Sequence, residues 1–150
     1  MKEIPISKVD EALSALADSR ISKVDESTWK VVSSDHSKAY TVIQEQDVYS
    51  SNDNATVWQH YAGYPIIAVL FYEKRIPFDP SLLGYFKAIP WKVLNTKYKN
   101  NYDLSIQEAF QSLDEPTRQA IQAETERLKK AVESLPLTIK GNRKPLVALS

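Results

Sequence analysis

Residues 63–75, reading GYPIIAVLFYEKR, form the densest apolar block of the chain. Ile66, Ile67, Val69, Leu70 and Phe71 follow one another almost without a break. The run is well short of the roughly 20 apolar residues that a membrane-spanning helix needs, so it belongs at the centre of a water-soluble core. A continuous apolar run suits a buried strand and a buried helix alike. The branched Ile66, Ile67 and Val69 favour a strand, because branching at Cβ fits a pleated surface. Pro65 favours a helix, since its fixed φ and missing N–H suit a first turn. Glu73, Lys74 and Arg75, stopped by Pro77, read as a helix C-terminus with cations at the negative end of the dipole. The helix is the reading adopted, with a strand as the alternative across residues 56–75.

The chain has 150 residues, the size at which one core is the default, so a single globular domain over 1–150 is expected. Its 43% hydrophobic and 25% charged residues are an ordinary globular composition. Nineteen basic and nineteen acidic side chains cancel, which removes any whole-chain attraction to nucleic acid or anionic lipid. The same neutrality leaves little repulsion between copies, so a homodimer is open. With no cysteine, disulfides, thiolate metal sites and a cysteine nucleophile are excluded. That fits a reducing compartment. The first nineteen residues scatter charge and contain no apolar signal-peptide core, so a cytoplasmic location without membrane attachment is expected. Three glycines, Gly63, Gly84 and Gly141, exclude glycine-rich phosphate loops, and no cofactor is expected.

Around the central block the periodicity predicts an α+β fold. Ser7 and Asp10 make a variant capping box. Val9, Leu13, Leu16 and Ala17 then form one apolar stripe of a helix ending near Ser19, with Lys8, Asp10, Glu11 and Ser14 facing outward. Such a helix would lie as a lid on a sheet. From Thr28 the period becomes two: Trp29, Val31 and Ser33, a turn over residues 34–37, then Tyr40, Val42 and Gln44. Gln46 and Asp47 turn the chain towards Val48 and Tyr49, and residues 50–54 are loop. Residues 56–61 are read as a further strand, with a short helix capped by Asn52 or Asp53 as the alternative. This is a small antiparallel meander over about residues 28–61.

The second half reads as helical. Asp79 with Pro80 caps one helix running to about Ala88, and Pro90 opens another that ends at Asn100 and Asn101. A third carries Ile106, Ala109, Phe110 and Leu113 inward. Asp114 caps the longest, over residues 115–134, with Ile121, Leu128 and Leu135 inward. After Pro136, residues 137–140 and 143–149 read as a terminal hairpin turning at Gly141 and Asn142, with Pro145 on a sheet edge.

Three constellations could carry function. Asp53, Trp58, His60, Tyr61 and Tyr64 combine a carboxylate, phenols and the one side-chain type that titrates near neutrality unperturbed. They are the candidate ligand site, and the alternative is a small enzyme with an acid–base pocket around Asp53, His60, Tyr61 and Tyr64. Lys87, Trp91, Lys92, Lys97, Tyr98 and Lys99 interleave cations with aromatics, the pattern of a single-strand nucleic-acid groove. The cations are all lysines, which offer no bidentate grip, so nucleic acid is the less favoured partner. Asp47, Asn52, Asp53 and Asn54 lack EF-hand spacing, and two histidines without cysteine make no zinc set, so no metal is expected. The adjacent acids Asp10 and Glu11 read as helix-start charges. No catalytic kit is complete, and no stretch resembles a known family. The expected function is a protein-interaction or small-ligand-binding module, self-associating through the long helix or an edge strand.

Overall fold

Pro65 lies in the first turn of helix α2 (Tyr64–Tyr72), for which Gly63 is the N-cap. The computed structural model describes residues 1–142 and the backbone of 147–148. Ile66, Ile67, Ala68, Val69 and Leu70 are wholly inaccessible, and a helix apolar on every side must be covered on every side. One side lies on the sheet. The other packs against helix α1 (Ile6–Ala17). The central block is therefore the middle layer of the molecule.

The fold is α+β, as its sequence pattern predicts. Strands β1 (Ile21–Lys23), β2 (Thr28–Val32), β3 (Lys38–Glu45) and β4 (Val48–Ser51) form the antiparallel meander. Trp29, Val31 and Val42 are buried from its inner face. Strand β1 was not foreseen, being three residues long. The 3-10 helix Pro80–Phe86 follows Asp79, whose side chain accepts from Ser81 N at 2.9 Å. Then come α3 (Trp91–Lys97), α4 (Tyr102–Phe110) and α5 (Glu115–Glu133). Asp114 caps α5 by accepting from Thr117 N at 2.8 Å.

Three expectations are corrected. Residues 56–61 are not a strand: Ala55–Gln59 is a π-helical turn. The buried Asp53 carboxylate accepts from Thr56 N at 3.1 Å and Thr56 Oγ1 at 2.8 Å, so the local side chain, rather than a neighbouring strand, satisfies the backbone. Among the described residues the terminal segments do not pair with each other. Strand β5 (Thr138–Gly141) runs parallel to β4, with Ile139 opposite Tyr49, and β6 (Val147–Ala148) runs antiparallel to β3. Gly141 answers a close approach: a Cβ there would stand 2.9 Å from Val57 Cα. Pro145 lies outside the described residues.

The third correction concerns α1. Its N-cap is Pro5, with no capping side chain, and Ser7 lies within the helix. Lys8, Asp10, Glu11 and Ser14 are all buried. The helix is not a lid on the sheet, because α2 intervenes. The 3-10 helix, α4 and α5 close over its remaining sides. Ala12 and Ala15 permit that close approach, since neither keeps a neighbour at a distance.

Candidate functional site

Burying a polar helix face is costly unless its groups are paired, and α1 divides its charges between two sides. Lys8 and Glu11, three residues apart, share one face. Asp10 lies on another, about 100° around the helix from Glu11. The first face meets the β2–β3 hairpin, Tyr64 of α2, and α3, leaving a cleft of about 260 Å³. Lys8, Glu11, Tyr40, Tyr64, Asn95 and Tyr102 are among the residues that line it.

Glu11 is the centre of the inner wall. Asn95 Nδ2 donates to its Oε1 at 2.8 Å, and Lys8 Nζ stands 3.3 Å from its Oε2. The second contact is a charge contact outside hydrogen-bonding geometry, so Oε2 is left without a hydrogen bond. Lys8 also lies over the Tyr102 ring, 4.7 Å from its centroid. Burial pulls the Lys8 ammonium towards neutrality, but Glu11, Tyr102 and Tyr61 together outweigh it and the net shift is upward. Lys8 is a buried cation. Five buried side-chain polar atoms lack hydrogen bonds among the described residues. Four of them, Ser7 Oγ, Glu11 Oε2, Asn95 Oδ1 and Ser105 Oγ, belong to α1, α3 and α4. Each such group costs on the order of 1–3 kcal/mol, so the cost is concentrated in one region.

The mouth of the cleft is cationic. Lys92 Nζ donates to Ser37 Oγ at 3.0 Å and lies 3.3 Å from Asp35 Oδ2. Hydrogen bonds from Ser37, against a small opposing effect of burial, hold the Asp35 carboxyl far below its ordinary value. Lys38, half-buried beside it, has no acid partner among the described residues. Arg20 is structural: its Nη1 donates to Val32 O at 2.6 Å and its Nε to Asp18 Oδ2 at 3.4 Å. Tyr40 and Tyr64 meet edge to face, with ring centroids 5.9 Å apart. Burial, followed by its neighbour Tyr40, raises the Tyr64 phenol well above its ordinary value, so Tyr64 is neutral.

Of the five candidate ligand residues, Tyr64 lines this cleft. Tyr61, half-buried, is close enough for Lys8 to act on its phenol. Asp53 is turned inward to Ser51 and Thr56. Trp58 is 63% exposed, and His60 is exposed at the end of the π-helical turn with a left-handed φ of 61°. The set therefore divides into a buried part near the cleft and a surface part. Of the lysine and aromatic set, Trp91 is buried, its indole N–H donating to Ser14 Oγ at 2.7 Å. Lys97 pairs with Glu108, which also accepts from Tyr98 Oη at 2.7 Å. Lys87, Lys92 and Lys99 are exposed. Lys92 and Lys97 thus carry their own counter-charges.

Among the described residues no group of three or more His, Cys, Asp or Glu side chains could hold a metal ion, and no helix is long and apolar enough to cross a membrane. Lys8, Glu11 and Asn95 escaped sequence reading as site residues because each looks like a solvent-facing side chain in its own helix. The two alanines on α1, Ala12 and Ala15, were the available signal.

Residues 1–138 match the family described as Uncharacterised conserved protein UCP014422. The chain belongs to that family. No curated protein and no solved structure matches it. The match takes in every residue named in the cleft.

Proposed function

We propose that the protein is a binding module for a small zwitterionic ligand, held in the cleft between α1, α3 and the β2–β3 hairpin. The observation that carries this reading is the inner wall: among the described residues Asn95 Oδ1 has no donor, and Glu11 Oε2 has no contact beyond its ion pair with Lys8 Nζ at 3.3 Å. A ligand ammonium or amide group supplies what they lack. An anionic group on the same ligand suits Lys38, which has no acid partner among the described residues. The volume of about 260 Å³ lies just under the usual range for drug-sized ligands, about 300–1,000 Å³, and so favours a small one. Tyr40, Tyr64 and Tyr102 provide aromatic walls suited to an ammonium.

The test uses glycine, β-alanine and γ-aminobutyrate as probes, with propylamine and propionate each carrying half of the recognition. Binding is read from amide shifts in NMR spectra and from thermal unfolding, in the wild type, Glu11→Gln and Lys38→Met. The expected result is that a zwitterion perturbs α1 and α3 amides and raises Tm. At a hundredfold excess over Kd the stabilisation is about 2.7 kcal/mol. Both variants should weaken it, and Lys38→Met does so without touching the buried pair. Absence of binding by every zwitterion at millimolar concentration refutes the reading. So does binding that is unchanged in both variants.

A further inference from the structure

On the other side of α1, helices α4 and α5 diverge. Only four residues join them, yet each packs on α1 rather than mainly on the other. The groove left between them has a volume of about 870 Å³, far larger than the zwitterion cleft. Ile6, Ile106, Phe110 and Ile121 give it an apolar floor. Its charged lining is one-sided: Asp10, Asp103, Glu108, Glu115 and Glu126 stand against Arg118. Glu108 is already neutralised by Lys97, and a clear acidic excess remains in a chain with no net charge.

Asp10 is the independent feature. It is 2% exposed and contributes to the groove wall. Among the described residues no other side chain donates a hydrogen bond to it. Burial, with the Glu11 charge adding to it, raises its carboxyl well above the ordinary carboxylate range. A buried carboxyl that its own backbone N–H reaches but no side chain among the described residues does, in the wall of an acidic groove, is suited to an incoming cation.

We infer that the groove between α4 and α5 docks a basic amphipathic helix of a partner protein, with a lysine or arginine reaching Asp10. Helix α4 has nine residues and is about 13 Å long, room for two to three turns of a docked helix. Apolar anchors at i, i+3 or i+4, and i+7 meet Ile106, Phe110 and Ile121, the mode by which amphipathic helices seat in apolar grooves. Cations on the flanks of the docked helix meet Asp103, Glu115 and Glu126. The groove is too open and too long for a ligand of amino-acid size, and its charge selects against an acidic segment.

The test is fluorescence anisotropy on the full chain with a labelled 14-residue peptide, leucines at helical spacing and lysines on both flanks. A second peptide has glutamates in place of the lysines. The lysine peptide is expected to bind at least about tenfold more tightly, to weaken with added salt, and to shift the amides of Phe110 and Ile121. The double variant Glu115→Lys/Glu126→Lys, on exposed side chains, should lose about tenfold in affinity or more, and Asp10→Asn should also weaken binding. No binding of the lysine peptide, equal binding of both peptides, or affinity unchanged in the double variant overturns the proposal. Concentration-dependent doubling of mass with the same shifts, in the absence of peptide, overturns it in favour of a second copy.

Discussion

Gly63→Ala places a methyl group against the buried polar knot around Asp53. A Cβ at Gly63 would stand 2.0 Å from Asp53 Oδ2 and 2.7 Å from its Cγ. Asp53 cannot swing away freely, because it accepts from Ser51 Oγ, Thr56 N and Thr56 Oγ1. Releasing three hydrogen bonds to a charged group costs about 1.5–3 kcal/mol for each. Shifting the chain instead costs about 1–3 kcal/mol in overpacking. It also strains the 3.0 Å bond from Gly63 N to Thr56 Oγ1, worth about 1 kcal/mol. The cheaper route decides, so the loss is about 2–4 kcal/mol. For a chain of this size that lowers Tm by about 4–16 °C. The sign is diagnostic. Gly63 has φ −70° and ψ 170°, which alanine adopts without strain, so without Asp53 the substitution would stabilise by about 0.4–1 kcal/mol. Urea denaturation followed by circular dichroism measures the difference. A double-mutant cycle with Asp53→Ala should then return a coupling of about 1–3 kcal/mol. A neutral or stabilising Gly63→Ala, or no coupling, refutes the reasoning.

Trp91→Phe removes the indole donor from Ser14 Oγ, which itself donates to Phe86 O at 2.8 Å, and should cost about 1–3 kcal/mol in urea denaturation; a cost under about 0.5 kcal/mol would show the bond to be dispensable. Burial raises the Tyr49 phenol to about 12, Glu73 adding to it and the Arg75 hydrogen bond opposing. Between the ordinary value near 10 and about 12, the unfolded chain ionises while the folded one holds its proton. Stability should therefore be undiminished by Tyr49 below pH 10 and fall through that window. Subtracting the profile of Tyr49→Phe from the wild type should isolate the fall, and two parallel alkaline limbs would contradict the assignment.

Within single elements, the chain is read correctly where a signal lies close to the backbone it governs. Pro65 sets the start of α2, Asp79 and Asp114 cap their helices, and the period-two pattern of Trp29 and Val31 places β2 with its inner face buried. These effects act within a turn or one strand pair, so no distant residue has to be known. The α+β class follows from them. The side chains of the cleft do not, because Lys8 and Glu11 on one helix are indistinguishable from solvent-facing residues until α3 and α4 are in place. Burial is a property of the space between elements. The same limit accounts for β5, whose partner is chosen by the free edge of β4 rather than by the turn at Gly141. It also accounts for residues 55–59, where the inward turn of Asp53 outweighs the strand propensity of Thr56 and Val57. Sequence by itself determined the helices, the meander and the absence of thiol and glycine-loop chemistry; only tertiary packing decided which charges face the interior, because that depends on what covers them.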